Sequence, residues 1–158
     1  MNDKVEKLIK SLNLQPHQEG GYFREFYRSS ETAYISAKYQ GLKSLNAAIY
    51  YLLSEDDRTK FHRLKCDEIW HHYDGGVLTL YIINAKGEIE TYKLGKDGNY
   101  AVMVAKGQWF AAKVTEGEYV LAGCTTSPGF EYSDFELTSG DNLIKEYPEF
   151  EEIIKDFI

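Results

Sequence analysis

Six glycines recur at nearly even intervals through the second half of the chain. They are Gly76, Gly87, Gly98, Gly107, Gly117 and Gly129, separated by 11, 11, 9, 10 and 12 residues. Glycine turns a chain at little steric cost. Turn signals at roughly 8–12-residue spacing leave room for one short strand each and predict an antiparallel sandwich or barrel. Neither βαβ alternation nor a glycine-rich phosphate loop interrupts this pattern.

The runs between turns fit strands. Tyr22 to Arg28 alternates aromatic and charged residues with period two, as a strand with distinct faces does. Asn46 to Leu53 is a nearly continuous apolar run and reads as a buried strand, closed by the polar turn Glu55-Asp56-Asp57-Arg58. Phe61–Leu64 and Glu68–Tyr73 read as short strands around Lys65-Cys66-Asp67. Val77–Ile83 and Glu88–Leu94 read as a hairpin through Asn84-Ala85-Lys86-Gly87. The ends read differently. Val5, Leu8, Ile9 and Leu12 share one helix face over about 2–13, with Asn2 or Asp3 as cap and Pro16 beyond its end. Leu143, Ile144 and Tyr147, then Phe150, Ile153, Ile154 and Phe157 after Pro148, predict helices over about 140–157. The barrel is expected over about 18–138, and the 158 residues are expected to form a single domain, since no linker or repeat divides them.

Charge narrows the partners. Twenty-five acids against eighteen Lys and Arg give a formal net charge of -7, which repels phosphate backbones and anionic membranes. Neither nucleic acid nor membrane is expected as a partner. Two cysteines, Cys66 and Cys124, are too few for a disulfide framework. The charged start Met1-Asn2-Asp3-Lys4 lacks the apolar core of a secretory signal. The expectation is a reduced, cytoplasmic protein.

Three of four histidines fall within eleven residues, at His62, His71 and His72, around Glu68. Imidazole titrates near neutrality and ligates metals, so this cluster is the first candidate for chemistry. Each is equally readable as an ordinary strand residue. Alternation puts Glu68, Trp70 and His72 on one face and His71 on the other unless a bulge intervenes. Further candidates are Gln18-Glu19-Gly20-Gly21-Tyr22-Phe23-Arg24-Glu25, whose paired glycines permit a sharp turn or close approach, and Trp109-Phe110, readable as core aromatics. Cys124 follows Val120-Leu121-Ala122 and reads as a buried strand thiol, with no base nearby in sequence to activate it.

These residues resemble a known family. His62-x-Leu64-x3-Glu68-x6-Gly75 is similar to the first motif of the cupin superfamily, and Ala105-Lys106-Gly107-Gln108-Trp109-Phe110 sits where its second motif falls. The closer likeness is to the branch called cupin family five. It is carried by Glu19-Gly20-Gly21-Tyr22-Phe23-Arg24, Phe61-His62-Arg63-Leu64, Asp67-Glu68-Ile69-Trp70-His71, Gly107 with Trp109-Phe110, and Gly123-Cys124-Thr125 with Pro128-Gly129-Phe130. The likeness runs from about Leu14 to Leu137. It implies a double-stranded β-helix, a jelly-roll barrel with a pocket inside, and a homodimer. Metal-binding cupins use three histidines and a glutamate. Leu64 and Phe110 stand in place of two of the histidines, so no metal and no other cofactor is expected. Metal-independent sugar-nucleotide epimerases of the superfamily use a histidine at the place of His62 as a base, although Thr59 stands where they carry a substrate-binding arginine.

The resemblance therefore implies a small polar organic ligand, sugar-like or nucleotide-linked, and isomerase or epimerase chemistry. His62 is expected as base and Glu68 as its helper. Tyr22, Trp70 and Phe110 are expected as the apolar wall, and Arg24 as the holder of an anionic group. His71 and His72 are counted with the ligand-binding residues, and His17, before the first strand, is expected to matter less. One alternative is a metal-dependent oxygenase or isomerase using His62, Glu68 and His72. Another is a binding module without catalysis.

Overall fold

The computed structural model describes residues 3–158, so Asn2, one of the two expected caps, lies outside the described residues. Helix α1 (Asp3–Leu12) is followed by β1 (Gln15–Pro16), β2 (Tyr22–Arg28), β3 (Thr32–Ala33), β4 (Lys43–Ser44), β5 (Ala47–Ser54) and β6 (His62–Leu64). Then come β7 (Asp67–Ile83), β8 (Ile89–Leu94), β9 (Ala101–Val104), β10 (Trp109–Ser127) and β11 (Phe135–Leu137), and finally α2 (Gly140–Glu146) and α3 (Glu151–Lys155). The fold is an all-β jelly-roll barrel with short helices at both ends.

Two long strands organise it. β7 has 17 residues and β10 has 19, and they pair with each other along most of their length. The second half of β10 pairs with β5, which pairs with β2, while the first half of β7 takes β9. The first half of β10 pairs with β6, which takes β11, while the second half of β7 takes β8. Each long strand thus belongs to both facing sheets.

The bend between the halves lies at register shifts around Glu116. A Cβ on Gly76 would sit 1.8 Å from the Glu116 carbonyl oxygen. Gly76 and Gly117 therefore mark where two backbones press together inside bent strands. This corrects the expectation of turns there, and of a strand break between Tyr73 and Val77. Gly87, Gly98 and Gly107 do lie in connections between strands.

Between the sheets, Trp70, Leu78, Leu80, Phe110, Val120 and Cys124 belong to one buried cluster. Each large side chain fully withdrawn from water there contributes about 1.5–3 kcal/mol. Val5, Leu8, Ile9 and Leu12 of α1 pack on Leu52, Tyr119 and Leu121, outside the barrel. Asn13, at φ +51°, adopts the left-handed conformation that ends the helix, and Leu14 N–H donates to Ile9 O at 2.9 Å. Leu143, Ile154 and Phe157 pack on Phe61 and Trp109 at the other end. Among the described residues no helix is long and apolar enough to cross a membrane.

Candidate functional site

A cavity of about 350 Å³ opens at one end of the barrel. Register sets what faces it. Thr126 of β10 lies between Ala47 of β5 and Glu68 of β7, and the next inward row is Ile49, Cys124 and Trp70. All of these except Trp70 line the cavity. His62 and Leu64 of β6 and Phe135 of β11 form the facing wall.

Glu19 enters from a loop. His17 N–H donates to Gly21 O at 2.9 Å, Gly20 N–H to His17 O at 3.1 Å, and Lys60 N–H to Glu19 O at 2.7 Å. Gly20 and Gly21 have φ of +122° and +69°, a region closed to most side chains. A Cβ on Gly20 would meet the Arg58 carbonyl oxygen at 2.2 Å. The close approach these glycines permit is thus to the chain at Arg58, and its result is a Glu19 carboxyl buried against His62.

The hydrogen bonds of His62 fix one proton. The Lys60 carbonyl, 2.7 Å from Nδ1, can only accept, so Nδ1 carries hydrogen. Nε2 lies 3.1 Å from Glu19 Oε2, which requires one more proton shared between the two. Both side chains are almost fully buried, and burial lowers the His62 pKa while raising that of Glu19 to about 7. Both shifts favour the neutral arrangement, with Glu19 donating to Nε2. Tyr51 Oη lies 2.7 Å from Glu19 Oε1 and from Gly20 O.

Glu68 is the second deep carboxyl. Trp70 Nε1–H donates to its Oε2 at 2.8 Å. Burial first, and then the nearby Glu19, push its pKa to about 8. The rim is aromatic and charged. Phe130, Tyr132 and Phe135 meet edge to face at 5.1–6.1 Å, and the His17 ring meets Phe23 at 4.6 Å. Arg28 binds Glu25 through two bonds of 2.8 Å and donates to Phe130 O at 2.6 Å. Glu131 is paired with the buried Lys43 behind it.

The structure brings His62 and Glu68 to one cavity and puts Glu19, not Glu68, at His62 Nε2. Trp70 and Phe110 stand behind the wall. Trp70 holds Glu68, and Phe110 packs 4.1 Å from the His62 ring, but neither lines the cavity. Tyr22 packs under α1 on the opposite face of β2, and Arg24 lies there over the Tyr50 ring at 5.5 Å. Alternation places Phe23 and Glu25 inward instead, and a bulge between Glu25 and Tyr27 returns Arg28 to the cavity side. His71 faces out, 3.3 Å from Thr125 Oγ1. His72 shares the Trp70 side of β7, yet its Nε2 is 3.0 Å from Gly76 O, away from the cavity.

Sequence reasoning singled out the stretches that hold Glu19 and Phe130 without giving either a place in the site, expected His17 to matter less, and missed Tyr51, Tyr132 and Phe135. Glu19 opens the Glu19-Gly20-Gly21 motif, and a carboxyl ahead of two strained glycines was the available signal. His17 gave none, since only the folded loop turns it inward.

The residues do not fit the metal site of cupins. The positions of two histidine ligands hold Leu64 and Phe110, both nitrogens of His62 are hydrogen-bonded, and His72 lies elsewhere. Among the described residues no three His, Cys, Asp or Glu side chains are grouped to hold an ion. Thr59, buried, takes the Ala112 amide at 2.9 Å and does not reach the cavity.

Comparison with known proteins gives consistent matches. The family model described as Cupin superfamily (DUF985) matches residues 6–138. The solved structure of protein SO0799 from Shewanella oneidensis is 36% identical with a TM-score of 0.86, over 95% of this chain and 94% of that one. A hypothetical protein from Leishmania major is 29% identical with a TM-score of 0.89, over 96% of each chain. The uncharacterized protein YML079W of Saccharomyces cerevisiae is 27% identical over 89% of this chain and 78% of its own length.

Proposed function

The chain belongs to the cupin superfamily, in the family described as DUF985, and from that membership we propose that its cavity binds a small polar organic ligand, sugar-like in class, and moves a proton on it without a metal. One observation carries the reading: the nitrogen of a buried histidine lies 3.1 Å from the oxygen of a buried carboxyl at the base of an aromatic-rimmed cavity, a contact that calls for one proton between them. Paired acid–base groups in such a pocket are what proton transfer beside a carbonyl requires.

The step balances as follows. The C–H bond beside the ligand carbonyl breaks, and its proton joins Glu19 as the shared proton moves fully onto His62 Nε2. The electron pair shifts to the carbonyl oxygen, which takes the proton of Glu68. The products are a neutral enol, an imidazolium and a carboxylate, and return of a proton to a different position or face gives an isomer. His62 acts through Glu19, and the Lys60 carbonyl holds its ring. His62 is a positioning and proton-storing residue in this scheme, and Glu19 touches the ligand.

The test is an NMR screen of a sugar and sugar-derivative library, followed by solvent deuterium incorporation into any ligand found. Binding lost in His62→Ala, with exchange lowered at least about 100-fold in Glu19→Gln, is expected. Binding without exchange would reduce the protein to a binding module. One equivalent of tightly held metal in purified wild type, lost in His62→Ala, would overturn the metal-free scheme.

A further inference from the structure

The acids of the cavity wall outnumber its bases, yet all of them are paired or uncharged. Four glutamates and one arginine line it, at Glu19, Glu25, Glu68, Glu131 and Arg28. Arg28 is already bound by both oxygens of Glu25, and Glu131 is paired with Lys43. The two deep carboxyls have no Lys or Arg partner among the described residues, and Arg24 lies on the other side of β2. An anionic group placed in the cavity would lose its hydration and find no free Lys or Arg among the described lining residues to replace it.

Two polar atoms on the floor have no partner in the fold. Thr126, 4% exposed, lines the cavity, and its hydroxyl oxygen, withdrawn from water, has no hydrogen-bond partner. Buried hydroxyls are normally satisfied, and one left without a partner costs stability. Its cross-strand neighbour on the cavity side is Glu68, whose Oε2 takes the Trp70 N–H and whose Oε1 makes no hydrogen bond among the described residues. Directly opposed residues have their Cβ atoms about 5 Å apart, a spacing at which adjacent oxygens of one ring reach both once the Thr126 side chain turns its hydroxyl toward them.

Resting on the ligand-binding reading above, we infer that Thr126 and Glu68 form a two-point subsite for adjacent oxygens of an uncharged ring, and that the cavity rejects anionic analogues. A phosphate or carboxylate of a larger ligand stays outside the mouth. Thr126 is the specificity-determining residue of this pair, because its hydroxyl has no other task in the fold. The raised pKa of Glu68, which keeps the carboxyl protonated at neutral pH, supports the same conclusion.

The experiment compares D-glucose and D-xylose with D-glucuronate by calorimetric or NMR titration, on wild type, Thr126→Val and Glu68→Gln. The neutral sugars are expected to bind, and glucuronate at least about tenfold more weakly. Thr126→Val should weaken the neutral sugars about tenfold, equivalent to ~1.4 kcal/mol. It should leave the melting temperature of the free protein unchanged or higher, whereas a structural role for the hydroxyl would lower it. Glucuronate binding as tightly as the neutral sugars, neutral sugars failing to bind, or wild-type affinity in Thr126→Val would each overturn the inference. A library ligand that is lost in His62→Ala but is anionic would leave the proposed function standing and sink this inference alone.

Discussion

Replacing Glu68 by Gln tests whether a neutral carboxyl is built into this barrel. The Glu68 side chain is buried, lies near Glu19, has no cationic partner among the described residues, and has a pKa raised from 4.5 to about 8. A group with a raised folded pKa stabilises most below its unfolded value, and that contribution is lost as pH rises through the folded value. Between about pH 5 and 8 the native state holds one proton that the unfolded chain has released. Wild type therefore loses about 1.4 kcal/mol of stability per pH unit from this residue. Glutamine cannot ionise, and its amide oxygen still accepts the Trp70 N–H. Between pH 5.5 and 7.5, wild type should lose roughly 3 kcal/mol more than Glu68→Gln. With a urea m-value of about 2–3 kcal/mol/M, the difference is about 1 M or more in midpoint. Urea titrations at both pH values measure it directly. Parallel pH profiles for the two would refute the reasoning, because they would mean that Glu68 is already ionised in the fold.

Two other perturbations follow from geometry. Gly20→Ala should cost several kcal/mol in thermal melts, since its Cβ would lie 2.2 Å from the Arg58 carbonyl, while Gly107→Ala, with φ +81° and open space around it, should cost only about 1 kcal/mol. The chain is expected to be a homodimer by light scattering at micromolar concentration, with the outer-sheet residues Phe26, Ile69, Tyr73 and Met103, each at least 39% exposed, as the face that becomes covered. A mass of 18.2 kDa would refute it.

The fold was legible because its signals are local. Period-two alternation located β2 to the residue, and the apolar run located β5 within one position. Gly76 and Gly117 misled because a glycine chosen for backbone contact between two strands looks the same in sequence as one chosen for a turn. The site was half legible. His62 and Glu68 belong to strands whose alternation gives only relative faces, and the resemblance to the first cupin motif supplied the inward one. Glu19 and His17 belong to a loop whose inward turn depends on the Lys60 bond and on the contact with Arg58, both about forty residues away in sequence. Arg24 and Tyr22 carried suitable chemistry on the wrong side of β2, because nothing in that strand alone says which face meets the cavity.

The sharing of β7 and β10 by both sheets governs how anything gets in. Because each is one continuous chain through both walls, the walls are not plates that slide apart, and widening the interior between them would break the longest ladder in the molecule. The rim has no such reinforcement. Between the end of β10 and β11 it holds a single 3₁₀ turn at Tyr132–Asp134, and β11 itself is only three residues long. On the proposed ligand-binding reading, entry and exit are a property of the rim, while affinity belongs to the floor. Substitutions at Phe130 or Tyr132 are then expected to change how fast the cavity fills, and those at Thr126 or Glu68 how firmly it holds.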